Sequence, residues 1–221
     1  MHHRTSLVST CLTLVTLASC AATSDDREAF IAQDSKPIEA SMAIQDPAAQ
    51  MEADMQACML AGTPGEMHKH LAQDVGIWEG KNTMWMAPGL EPMESTSTMT
   101  IAMVLDGRYA RGEMASEMPG MGSFSGLCYV GFDNVSQKFV GTWMDSMSTG
   151  IMTGTGELSK DGKTLTWNYT YNCPIAKKPA TMRQVEKITG KDTKTLDMWG
   201  KDPHSGKEFQ MMHIELTRKS S

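Results

Sequence analysis

The feature that most restricts the fold is a switch to a two-residue rhythm at Gly76. Leu165, Trp167, Tyr169 and Tyr171 alternate with Thr164, Thr166, Asn168 and Thr170, and Met99, Ile101 and Met103 alternate with Thr98, Thr100 and Ala102. Successive side chains of a strand point to opposite faces, so this alternation marks half-buried strands. Turn-forming pairs interrupt it at Asp106-Gly107, Asp133-Asn134, Asp161-Gly162 and Ser205-Gly206. The pattern predicts about ten strands, near 76–86, 94–104, 108–116, 123–132, 137–145, 149–158, 163–171, 180–190, 193–200 and 206–218. The links between them are too short for crossover helices, which makes the sheet antiparallel. Many twisted strands in succession tend to close, because closure removes exposed edges. The expected fold is all-β: an antiparallel up-and-down β-barrel with one or two short N-terminal helices.

The chain has 221 residues and a net charge of −6, so it carries no electrostatic footprint for nucleic acid. A barrel segment of roughly 145 residues buries about two-thirds of its unfolded surface and needs no staples. Methionine is abundant, at 21 residues, against 5 phenylalanines and 4 tyrosines. Past the N-terminus no run reaches the roughly 18 apolar residues of a membrane span.

The first residues read as an export signal. Arg4 supplies positive charge, and Leu7 to Leu17 is an apolar stretch too short to span a bilayer. It ends Leu17-Ala18-Ser19-Cys20, which resembles the bacterial lipobox: an apolar residue, two small ones, and a cysteine that is acylated and becomes the new N-terminus. Each buried CH₂ of an acyl chain, palmitate included, contributes about 0.8 kcal/mol to membrane anchoring. Ala21 after the cysteine resembles the sorting pattern for the outer membrane. The expected layout is a signal peptide at 1–19, a lipidated Cys20 with tether and short helix at 20–62, and a barrel domain at 63–221. The tether from Ala21 to about Pro47 is rich in Asp, Ser, Ala and Gln and lacks hydrophobic period.

Two helices are expected before the barrel. Met51, Met55 and Met59 fall at helical spacing in Ala48 to Ala61 and predict a short amphipathic helix lying on the domain. Thr63-Pro64-Gly65-Glu66 fits a capping box with Thr63 as N-cap, opening a second helix whose face is Met67, Leu71 and Val75.

Gly76-Ile77-Trp78 opens the barrel and Arg218 stands near its end. Lipocalins carry a Gly-x-Trp on the first strand and an arginine on the last, with the guanidinium over the indole. Such a cation–π contact is worth roughly 0.5–2 kcal/mol. The wider pattern is Gly65-Glu66-x-His68, Gly76-x-Trp78, Leu105-x-Gly107-Arg108, Gly131-Phe132-Asp133-Asn134, Trp143-x-Asp145-Ser146-Met147-x-Thr149-Gly150 and Thr217-Arg218. It resembles the bacterial domain-of-unknown-function family 1579 over about residues 63 to 219, with Phe132 where that family usually has Tyr. The resemblance implies a calycin-like barrel, related in shape to lipocalins, fatty-acid-binding proteins and nitrobindin. It implies no established activity, and fold alone does not supply one.

A barrel of this size can hold one small ligand. Trp143 and Asp145 share a strand face; turned inward, Asp145 needs a partner, with Arg108 or Arg111 available. Arg111 and Glu113 share parity and either line the cavity or face solvent, and Trp167 is a candidate wall. Asp145 with Glu113 is the one carboxylate pair an enzyme would use. Haem would need an axial ligand from His68, His70, His204 or His213. Copper would need thioethers from Met84 and Met86, Met118 and Met121, or Met144 and Met147. Core filling accounts for the methionines more simply, and no cofactor is expected. Of Cys58, Cys128 and Cys173, the first and last form the preferred disulfide pair. Three functions remain in competition: a binder of a small, partly apolar molecule, a structural or interaction lipoprotein with a filled barrel, and a small-molecule enzyme using Asp145.

Overall fold

Residues that alternate threonine or charge with aromatic, methionine or aliphatic side chains form the strands, and the apolar set faces one common axis. The computed structural model describes residues 46–220; the expected signal peptide, the lipobox-like segment with Cys20 and most of the expected tether lie outside the described residues. Two helices, α1 (Pro47–Ala61) and α2 (Glu66–Ala72), precede ten strands. The strands are β1 (Gly76–Met84), β2 (Met93–Val104), β3 (Tyr109–Met118), β4 (Gly122–Asp133), β5 (Lys138–Asp145), β6 (Met152–Leu158), β7 (Thr164–Cys173), β8 (Lys178–Gly190), β9 (Thr193–Lys201) and β10 (Glu208–Ser220). Each pairs antiparallel with its sequence neighbours, and β10 pairs with β1 to close the barrel. All ten strands fall where the alternation places them, because the turns break the rhythm at a Gly, Asn or Asp, or, between β7 and β8, at Pro174.

One end of the barrel is sealed. α2 lies across it, burying Leu71 and His68, and the floor beneath is Trp78, Ile101, Phe139, Leu165, Trp167 and Leu216. Phe132, Phe139 and Trp167 pack edge-to-face, at centroid separations of 5.1 and 6.4 Å. At the β1–β10 seam, Arg218 Cζ stands 4.1 Å from the Trp78 ring centroid. The same guanidinium donates to the carbonyls of Val75 and Gln73 and pairs with Asp192, while the Trp78 indole N–H donates to Asp74 O at 2.9 Å.

The helices differ from expectation in two ways. No residue of α1 is buried, so it does not lie on the barrel as an amphipathic helix; Met51, Met55 and Met59 are 57 to 70% exposed. Spacing alone put three methionines on one face, but the alanines, Cys58 and Leu60 spread apolar surface over the other faces too, and no face is distinguished. The second helix starts two residues later than the Thr63 cap requires. Gly65 is its N-cap, and the His68 ring accepts the Gly65 N–H at 3.0 Å, while Thr63 instead donates its hydroxyl to Met59 O at 2.7 Å and closes α1.

Candidate functional site

The barrel interior divides into two halves. Near α2 the floor side chains are buried, with Phe139 and Trp167 each 1% exposed, and Met103, Val130, Phe132 and Leu158 are half-buried around them. Toward the opposite end Asn82, Ser97 and Cys173 are buried, but a ring of inward apolar residues stays half-buried although it points at the axis: Met99, Met114, Phe124, Cys128, Trp143, Met152, Tyr171, Met198, Met211 and Met212. This open half is lined chiefly by thioethers, which adapt to irregular shapes. Its polar features are the buried Asn82 and Ser97, linked at 3.0 Å, with Ser95 on the Asn82 amide at 3.1 Å. Cys128 also faces it, and enclosure pushes the thiol up to about 11, so it stays neutral near pH 7.

Inward glycines make space for the large rings. A Cβ at Gly126 would meet the Trp143 ring at 2.4 Å, and one at Gly156 would meet Trp167 at 2.9 Å. Each indole therefore lies flat against the wall across a glycine on a neighbouring strand.

The residues singled out from the sequence do not form one cluster. Trp143 and Asp145 face inward at the open half, where Trp143 Nε1 donates to Asp145 Oδ2 at 2.8 Å and Met147 N donates to Oδ1 at 2.9 Å. No arginine reaches Asp145. Arg108 is the last residue of the β2–β3 turn and donates to Gly62 O and Leu105 O, tying the segment after α1 to the barrel. Arg111 and Glu113 pair with each other on the outer wall. Glu113 is thus on the opposite side of the sheet from Asp145, and no carboxylate pair forms. Trp167 belongs to the packed floor, where its Nε1 is buried without a hydrogen-bond partner. Trp78 and Arg218 stand at the closing seam.

Among the histidines, His68 packs against Phe132 and His70 against Phe139, both at 6.1 Å. His213 Nδ1 bonds Asp197 on the outer wall at 2.6 Å, and His204 lies in the β9–β10 loop. Met118 and Met121 flank the β3–β4 turn, Met86 is in the β1–β2 loop, and Met147 lies past the end of β5. Among the described residues, no three His, Cys, Asp or Glu side chains gather as metal ligands, and no helix is long and apolar enough to cross a membrane. The preferred disulfide is not formed: Cys58, Cys128 and Cys173 are free, with Cys58 exposed on α1 and Cys173 buried at the end of β7.

One interior feature was missed from sequence. Lys194, almost fully buried, bonds Asp74 at 3.1 Å, approaches Glu186 at 3.9 Å and stands 4.9 Å from the Trp78 centroid. Glu186 also accepts from Gln184 at 2.8 Å. Enclosure raises the Glu186 pKa and the Lys194 charge opposes it. A cavity of about 30 Å³, the share of one water, adjoins these groups. Parity carried the signal: Glu186 is in step with Met182, and Lys194 with Leu196 and Met198.

A further concavity lies outside the barrel. It is a shallow trough of about 520 Å³ on β3–β7, with Tyr109, Tyr129, Thr142, Thr153, Asn168 and Thr170 among its lining.

A profile of the family described as protein of unknown function (DUF1579) matches residues 63–218. The chain belongs to the DUF1579 family. Its barrel is similar to the crystal structure of Rv2717c from M. tuberculosis, with a TM-score of 0.53 and 16% identity over 71% of this chain and 99% of that one. It is also similar to the S-type phycobiliprotein lyase CPES from Guillardia theta, with a TM-score of 0.50 and 13% identity over 74% of this chain and 97% of that one. No curated protein matches the chain. At these identities the likeness of this DUF1579 protein to solved structures is one of fold.

Proposed function

We propose that this DUF1579 protein is an exported lipoprotein, held at the outer membrane through acylated Cys20, whose barrel binds a small, partly apolar molecule in its open half. The observation that carries the binding reading is the contrast between the two halves. The floor is packed, whereas the methionine and aromatic side chains above it face the axis and still meet solvent. Apolar surface held open in a concave site is what ligand pockets use, with a few polar groups to orient the guest. Asn82, Ser97 and Tyr171 supply hydroxyl and amide groups, and Asp145 a fixed carboxylate. No cofactor forms part of the proposal.

Native mass spectrometry on protein purified from its own host tests the reading. A small molecule that stays with the native protein and leaves on denaturation is the expected result; bare polypeptide across independent preparations counts against it. For the anchor, metabolic labelling with an alkyne palmitate should tag the wild-type chain, and Cys20→Ser should lose the label and leave the membrane fraction. An unlabelled wild-type chain removes the lipoprotein reading.

A second reading is an interaction lipoprotein whose contacts are made outside the barrel. The outer trough favours it, since this concavity is larger than the cavity under α2. Loss of a co-purifying protein on Tyr129→Ala, with ligand content unchanged, would support it.

A further inference from the structure

The charges inside the barrel decide what head group a guest can carry, an inference that rests on the binding reading above. Among the described strand residues, the charged side chains of inward parity are Asp145, Lys178, Glu186, Lys194 and Arg218. Lys194 and Arg218 are at the sealed end, engaged with Asp74, Glu186 and Asp192. Lys178 is the first residue of β8, exposed at the rim. Asp145 faces the open half. It pairs across the sheet with Gly126, which pairs with Met114, which pairs with Met99, so the carboxylate shares a row with two of the lining methionines. The Trp143 N–H and the Met147 N–H hold it in place.

An apolar acid entering this half would bring a second anion toward Asp145 with no inward cation beside it, and desolvation magnifies that repulsion. A cation would gain the carboxylate. It would also gain the π-faces of Phe124 and Trp143, which stack 6.4 Å apart at an interplanar angle of 19°. We infer that the open half of the barrel selects uncharged or cationic apolar molecules and rejects apolar acids.

The test is a competition series of equal chain length against a neutral naphthalene fluorophore, at low salt and pH 7.5, on the whole chain carrying Cys20→Ser. The competitors are decyltrimethylammonium, decanol and decanoate. The ammonium should bind at least about tenfold more tightly than decanoate, with decanol between them. Asp145→Asn should shrink that ratio to under about threefold and leave decanol unchanged, while Lys178→Ala should leave the ratio intact. Decanoate binding as tightly as the ammonium overturns the inference, as does a ratio that survives Asp145→Asn or follows Lys178. If fluorophore and all three competitors fail to bind, the pocket itself is refuted. The three-ligand ranking on the parent barrel decides the matter even if Asp145→Asn does not fold.

Discussion

Trp167 shows how single residues shape this barrel. It is among its most buried side chains, and it fits because Gly141 and Gly156 leave bare backbone beneath its ring. Gly156→Ala places a methyl against that ring and should cost about 1–3 kcal/mol in a urea melt. Gly150→Ala, with nothing within 4 Å of the added carbon, should stay within about 0.5 kcal/mol of the parent. Equal effects would mean that ring and glycine are not in contact. Glu186 is the residue that ties stability to pH. Its pKa is raised in the folded state, so the folded chain keeps a proton that the unfolded chain releases earlier. Stability therefore falls as pH climbs from the ordinary glutamate range to the folded pKa and is level above it; below that range both states are protonated and the effect vanishes. Urea midpoints between pH 4 and 8 should show this decline in the parent and a flatter profile in Glu186→Gln. An unchanged slope would move the effect to another group. In stronger acid the sign reverses for the exposed turn residues Asp133, Asp161 and Asp202. Serine hydroxyls and backbone N–H groups hold these below the usual carboxylate range, so their contribution is lost as they protonate.

At the scale of elements, the two helices play opposite parts. α2 is part of the core, and the chain just past it is latched through Asp74 to Lys194 of β9. Removing Lys194 leaves the enclosed Glu186 and the half-buried Asp74 without their cation, so Lys194→Met should destabilise by roughly 3 kcal/mol. The double variant with Glu186→Gln should recover part of that loss, and strict additivity of the two changes would show that they do not interact. α1 contributes no buried residue, and the ties there are made at its last residue and just past it, by Asn134 to Ala61 O and Thr63 O and by Arg108 to Gly62 O. A chain beginning at Ala61 should melt within a degree or two of one beginning at Asp46, since exposed residues carry little stability. A large drop would show that α1 packs on the barrel after all. Iodoacetamide at pH 8 should modify Cys58 on α1 quickly and Cys128 only after unfolding, because burial keeps the second thiol protonated.

For the molecule as a whole, closure is the organising event: β1 and β10, the first and last strands, meet and leave no edge. Arg218 joins that seam to the chain before β1. Arg218→Ala should therefore lower the melting temperature by several degrees, consistent with loss of roughly 2 kcal/mol from cation–π and charged hydrogen bonds. The closed topology was legible because the alternation, the turn residues and the short links each exclude other sheets. The family was legible from the motif run between Gly131 and Gly150. Arg108, Arg111 and Glu113 were harder to place, because parity within one strand fixes which residues share a face but not which face is inside. Only pairing with β2 and β4 turns Arg111 and Glu113 outward and Asp145 inward. Burial of Lys194 beside Asp74 and Glu186 joins residues distant in sequence, and so does the division into a packed floor and an open half. The alternating sequence thus determined that the chain forms a closed antiparallel barrel, because period two is a local property of the backbone. What the barrel encloses was decided by tertiary structure, because contacts across the axis depend on how all ten strands are staggered.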